Sequence, residues 1–216
     1  MVMAAKQNDN FHSAEGRYLD QEKVRKALDE ATSFGASYAE VRLVALTEST
    51  VAMRDGALER AIPGQELGMT LRVLADGAWG VHSTTDIASL SEQIESTTRL
   101  AKAVAKRRTS GESPKGLAEV PVIQDEVHWR PQFDVRHTEL DEKISFMNEL
   151  YSGATGHADV VSVRTGWRDE HIHTELLTTE GMDRVWSFQR SLVHGMVTAR
   201  RNGDVVSYRT RHGGQG

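Results

Sequence analysis

Apolar residues recur at helical spacing from Leu19 to Phe34, through Val24, Ala27, Leu28 and Ala31, and Asp20 stands where a side-chain oxygen caps a first turn. Gly35 predicts the stop. From Ser37 the period changes: Tyr38, Val41, Leu43 and Leu46 lie among Glu40, Arg42, Thr47 and Thr50, and Asp55-Gly56 suits a tight hairpin. The apolar run Leu67 to Leu74, then Asp76-Gly77 and Trp79-Gly80-Val81, predicts a second hairpin. Residues Ile87 to Arg108 return to helical texture, with Ile87, Leu90, Ile94, Ala101 and Val104 along one stripe and Thr85 or Asp86 as cap. Between Thr109 and Pro131 stand Pro114, Pro121 and Pro131 beside Ser110, Gly111 and Gly116, which predicts an extended connection. Thr138-Glu139-Leu140-Asp141 has capping-box spacing and opens a third helix carrying Leu140, Ile144, Met147 and Leu150, expected to end near Gly153 or Gly156.

The residues after the third helix have the same texture as those after the first. Ala39-Glu40-Val41-Arg42 lies against Val161-Ser162-Val163-Arg164, Asp55-Gly56 against Glu180-Gly181, Gly68-Met69 against Gly195-Met196, and Asp76-Gly77 against Asn202-Gly203. The competing explanation is that any two meanders recruit such dipeptides for backbone reasons. The repeat reading predicts an α+β fold of antiparallel strands in two helix-plus-meander units with helices packed on the sheet. The expected organisation is a disordered extension over 1–17, a helix, meander and covering helix over 18–108, an extended connection over 109–137, and a second helix plus meander over 138–216.

Composition narrows the function classes. At 216 residues, 38% hydrophobic and 26% charged, the chain can bury a sizeable core. Having no Cys, it excludes disulfide scaffolds, thiolate metal sites and cysteine nucleophiles. The formal charge of -5 repels phosphate backbones, so nucleic acid is not expected as a partner. No run approaches the roughly 20 apolar residues of a membrane span, and Met1 to Arg17 lacks the apolar centre of a secretory signal. The expectation is a cytoplasmic protein with a frayed start.

Candidate chemistry is sparse. His171-Ile172-His173, flanked by Glu170 and Glu175, puts two imidazoles on one face of a strand, a usable metal geometry that His194 could complete from a neighbouring strand. The bland reading is a wet sheet face with Ile172 and Leu176 pointing inward, and it is preferred because the pair has no fixed third ligand. No catalytic residue and no metal ligand is therefore assigned, with His171 and His173 as the alternative. Lys102, Lys106, Arg107, Arg108 and Lys115 are read as a solvated helix terminus and not as a nucleic-acid contact. Arg184, Arg190, Arg200, Arg201, Arg209 and Arg211 make the last meander locally basic, open to a peptide or acidic partner. No Gly-x-Ser-x-Gly elbow, Ser-x-x-Lys pair or phosphate loop occurs.

Glu40-Val41-Arg42, Met53-Arg54-Asp55-Gly56-Ala57-Leu58-Glu59, the run from Gly68 to Gly80 ending Asp76-Gly77-Ala78-Trp79-Gly80, and Ser83-Thr84-Thr85-Asp86 resemble the amino-terminal domain of the TldD/PmbA family, once described as modulators of DNA gyrase. Asp141-Glu142-Lys143-Ile144 and Gly213-Gly214 resemble it more loosely, and the Asp76 to Gly80 run looks closer to the TldD-type subunit. The resemblance implies a zinc metallopeptidase that works as paired homologous subunits around a chamber and cleaves unfolded or leader peptides. It also implies a metal held on a later domain by a His-Glu-x-x-x-His helix. Here no His precedes Glu, and no two histidines stand four or five apart. The expectation is a non-catalytic domain of a longer enzyme, supplying chamber wall, peptide guiding and subunit assembly, inactive alone and with zinc only in the full-length protein. The alternative is a stand-alone interaction module without proteolysis.

Overall fold

The computed structural model of the chain describes residues 16–107 and 117–215, so the expectations for 1–15 and for Arg108 and Lys115 lie outside the described residues. The order is helix α1 (Gln21–Ser33), strands β1 (Tyr38–Arg54), β2 (Ala57–Ala75) and β3 (Ala78–Thr84), helix α2 (Leu90–Ala105), strand β4 (Gln124–His128), a 3-10 turn at Val135–His137, helix α3 (Leu140–Ala154), and strands β5 (Val160–Thr178), β6 (Asp183–Arg201) and β7 (Asp204–Gly214). A helix followed by a three-strand meander occurs twice. The seven strands form one open sheet in the order β3-β2-β1-β5-β6-β4, with β7 also on β6. The α+β expectation of antiparallel meanders with helices packed on the sheet holds.

Turn chemistry explains the meanders. Asp55-Gly56, Asp76-Gly77 and Asn202-Gly203 each put two successive residues at positive φ, the conformation of a two-residue hairpin turn whose twist matches that of its strands. The edge of β6 is shared: β7 pairs with Ser191–Arg201, while Asp183 N–H donates to Ile123 C=O at 3.1 Å and Trp129 N–H to Ser187 C=O at 3.0 Å beside β4. The stretch read as an irregular connection thus contributes a short strand. Its exposed residues show no apolar alternation that would reveal it.

Helix starts differ from expectation in detail. Asp20 caps α1, accepting from Glu22 N–H and Lys23 N–H. The second helix begins at Leu90 and not at Ile87, because Asp86 is spent on its own loop, accepting from Ala88 N–H at 2.9 Å. The capping box at Thr138 does not form: Glu139 holds the N-cap position without a side-chain bond, and the buried Thr138 hydroxyl has no partner.

Two compact units divide the chain, with β1, β2, β4, β5 and β6 contributing to both. The first comprises the described residues up to Val44, Gly68–Glu126 and Thr174–Val185. Its buried apolar residues include Val24, Ala27, Leu28 and Ala31 of α1 and Val41, Leu43, Leu71, Val73, Ile94 and Leu177. Buried Glu175 accepts from Tyr18 N–H at 2.5 Å and Leu19 N–H at 3.2 Å, and Asp183 binds both Arg17 and Arg25, so the segment entering α1 is tied down by carboxylates. The second unit comprises Ala45–Leu67, Val127–His173 and Trp186–Gly216. Its core is Val51, Met53 and Met147, with Leu140, Ile144, Trp167 and Val193 packed against them.

Candidate functional site

Strand β5 presents Val163, Thr165, Trp167, Asp169, His171 and His173 in one alternating row, since successive side chains leave a strand on opposite faces. The row belongs to the buried face, with Val163 2% and His173 8% exposed. The expected wet face is not found: His173 and Glu175 are buried, while on the other side Ile172 and Leu176 are half-buried among buried Glu170 and Thr174.

At the centre of the row lies a charged cluster. Lys143 Nζ on α3 is 2.8 Å from Asp169 Oδ2 and donates to Ser49 Oγ on β1 at 2.8 Å. Ser49 Oγ donates to Asp169 Oδ1 at 2.9 Å, and Trp167 Nε1 donates to Oδ2 at 2.8 Å. All of Lys143, Asp169 and Ser49 are buried. The Ser49–Lys143 pair has the atoms of a serine nucleophile and its base. An ammonium engaged by a carboxylate has no lone pair with which to take the serine proton, so this cluster is a buried structural ion pair whose remaining polar atoms are satisfied. Lys143 escaped the sequence reading. The signal was present: Leu140, Lys143, Ile144 and Met147 follow the helical stripe, and Asp169 falls in phase with Val163 and Leu177.

His128, His171 and His173 lie near one another in this unit. The rings of His173 and His128 stack with centroids 6.2 Å apart and 16° between planes, and His128 Nδ1 is 2.8 Å from Ser187 Oγ. Burial first, then the Arg136 guanidinium, push the His171 imidazole down to about 4, with Asp134 opposing and His173 and His128 adding to the shift. Asp134 itself is lowered to about 2, chiefly by Arg136, which contacts it at 2.6 Å. His194, offered as a third ligand, is on the opposite face of the sheet: its ring lies over the backbone of Gly166, while its neighbour Val193 packs on the core. Among the described residues no three His, Cys, Asp or Glu side chains converge as a metal-binding group.

The remaining candidates are dispersed. Lys102 Nζ lies over Gly35, just past the carboxyl end of α1, where a cation complements the helix dipole. Arg190 and Arg168 pair with Glu170, Arg201 with Asp159 and Arg184 with Asp125. Trp79 packs edge-on to Tyr38 and beneath Arg72, whose Cζ is 4.5 Å from the ring centre. Trp129 is 56% exposed. No helix among the described residues is long and apolar enough to cross a membrane.

Comparison with known proteins gives this arrangement its context. Residues 39–105 match the sequence profile of PmbA/TldA metallopeptidase domain 1, and residues 133–216 that of the PmbA/TldA metallopeptidase central domain. Metalloprotease MJ0996 of Methanocaldococcus jannaschii is 24% identical over 199 residues, covering 92% of this chain and 42% of that protein. Among solved structures, a protein named as a DNA gyrase modulator from Thermotoga maritima superposes with a TM-score of 0.70 at 17% identity, over 90% of this chain and 43% of that one. TldE from Thermococcus kodakarensis gives 0.67 at 14% identity, over 89% and 43%. The chain thus spans less than half the length of the relatives it matches. Two successive domain profiles over one repeated α+β meander show that this chain belongs to the PmbA/TldD metallopeptidase family.

Proposed function

We propose that this chain is the non-catalytic scaffold of a TldD/PmbA-type zinc metallopeptidase, comprising its first and central domains. In this reading it forms chamber wall, guides unfolded or leader peptides along its strands, and meets a homologous TldD/PmbA subunit in the cytoplasm. The peptide bond is broken at zinc held by polypeptide outside these 216 residues. The observation that carries the reading is the pair of successive domain matches in a sequence without a His-Glu-x-x-x-His pattern. Two histidines one helical turn apart can face one zinc ion, and a glutamate beside the first can activate its water.

The test compares this chain with a longer protein carrying a His-Glu-x-x-x-His helix on an unstructured fluorogenic peptide. Chelator-sensitive cleavage by the longer protein and none by the chain alone supports the reading. Cleavage by the chain alone overturns it. A second reading, an interaction module without proteolysis, draws on the fully exposed β7. An inactive longer protein whose strands still bind a partner would favour it.

A further inference from the structure

The final hairpin leaves one strand edge open. Arg201 and Asp204 close the two-residue turn and, as the closing pair of such a hairpin, exchange both backbone hydrogen bonds. Bonding then alternates along the pair. Val205, Ser207, Arg209, Arg211 and Gly213 therefore aim their backbone N–H and C=O groups away from β6. The opposite strand agrees: Arg200, across from Val205, donates its N–H away from β7 to Asp159 C=O at 2.8 Å.

This edge is blunted by neither proline nor bulge. Every residue of β7 is exposed, its register on β6 is unbroken over eleven pairs, and it contains no proline. Another free stretch of edge, the first half of β2, carries Pro63. One face of β7 shows Val206 at 69% and Tyr208 at 74% exposure. The other shows Arg209 and Arg211, neither within salt-bridge distance of a carboxylate among the described residues. From Trp186 to Gly216 there are five arginines and one acidic residue, Asp204, in a chain whose net charge is -5.

We infer that β7 receives an extended peptide as an added strand, and that the peptide carries acidic side chains alternating with apolar ones. Main-chain hydrogen bonds to the outward groups of β7 supply sequence-tolerant affinity. Side chains of an added strand alternate in step with those of β7, so acidic residues meet Arg209 and Arg211 on one face while apolar residues cover Val206 and Tyr208 on the other. A second copy of this chain is a poorer occupant, because antiparallel pairing of β7 with β7 through these groups gathers four arginines on one face.

The proposal rests on the reading of this chain as a peptide-guiding wall and names where and what it guides. Fluorescence anisotropy of labelled hexapeptides against the 216-residue chain tests it. An alternating Asp/Val peptide binds, an alternating Lys/Val peptide does not, and N-methylation of alternate amides abolishes binding. R209E/R211E, with an unchanged thermal melt because both side chains are exposed, weakens the acidic peptide about tenfold or more and gains the lysine peptide. Equal binding of both peptides, indifference to N-methylation, an unchanged affinity in R209E/R211E, or self-association through β7 that excludes peptide each overturns it. If binding fails while the longer protein still shows chelator-sensitive cleavage, the β7 assignment falls and the scaffold reading stands.

Discussion

Lys143 of α3 and Asp169 of β5 meet at 2.8 Å, each only 3% exposed, so two opposite charges are withdrawn from water inside the second unit. The two are not equally supported by their surroundings. Without Lys143, the Asp169 carboxylate keeps donors from Ser49 and Trp167, whereas without Asp169 the ammonium keeps only Ser49 Oγ and Val135 C=O. Asp169→Leu is expected to destabilise the fold by roughly 3–5 kcal/mol and Lys143→Met by less, with the double variant recovering most of the loss. Urea denaturation of the three variants checks the order.

Acid weakens the fold through His171. Its folded pKa of about 4 lies below the ordinary 6.5, so the unfolded chain takes up the proton first as pH falls. The contribution from the neutral ring is fully present above about pH 6.5 and is lost as the pH drops toward 4. Its size is on the order of 2 kcal/mol, after discounting for the part of the ring that faces solvent. His194, lowered by burial and then by Arg211 and Arg209, adds a slope of the same sign. Denaturation at a series of pH values should show that His171→Gln reduces the slope between pH 6.5 and 4 without removing it.

Two glycines stand where backbone or ring comes close. A Cβ at Gly80 of β3 would press on Thr97 C=O and lie 3.0 Å from Ala101 N, both backbone atoms of α2 that cannot swing aside. A Cβ at Gly166 of β5 would meet the His194 ring, which can. Gly80→Ala is expected to cost about 2–3 kcal/mol and Gly166→Ala less, with His194→Ala restoring the second and leaving the first unchanged. Melting temperatures of the single and double variants distinguish the two.

Much of the fold was legible in local chemistry. Asp20 as a cap, the three dipeptides at positive φ and the alternation of Val41 and Leu43 all act over a few residues, so one sequence displays them. The site was less legible because its meaning depends on pairing between distant strands. His171 and His173 read as solvent-facing by texture, yet their face of β5 is covered, with Asp169 and Glu175 among its buried residues, and the other face holds buried Glu170 and Thr174. Lys143 sits in the helical stripe where an apolar residue is expected, and only Asp169, far along the chain, explains it. The failed cap at Thr138 has the same origin: local spacing allowed the box, and burial of the hydroxyl overrode it.

The central claim is that these residues are scaffold and that metal chemistry lies elsewhere in the family's architecture. Calorimetric titration of zinc into the purified 216-residue chain tests it most directly. A scaffold role predicts no stoichiometric binding, and no difference between the native chain and His171→Ala. One zinc ion bound per chain, lost in His171→Ala or His173→Ala, would contradict it.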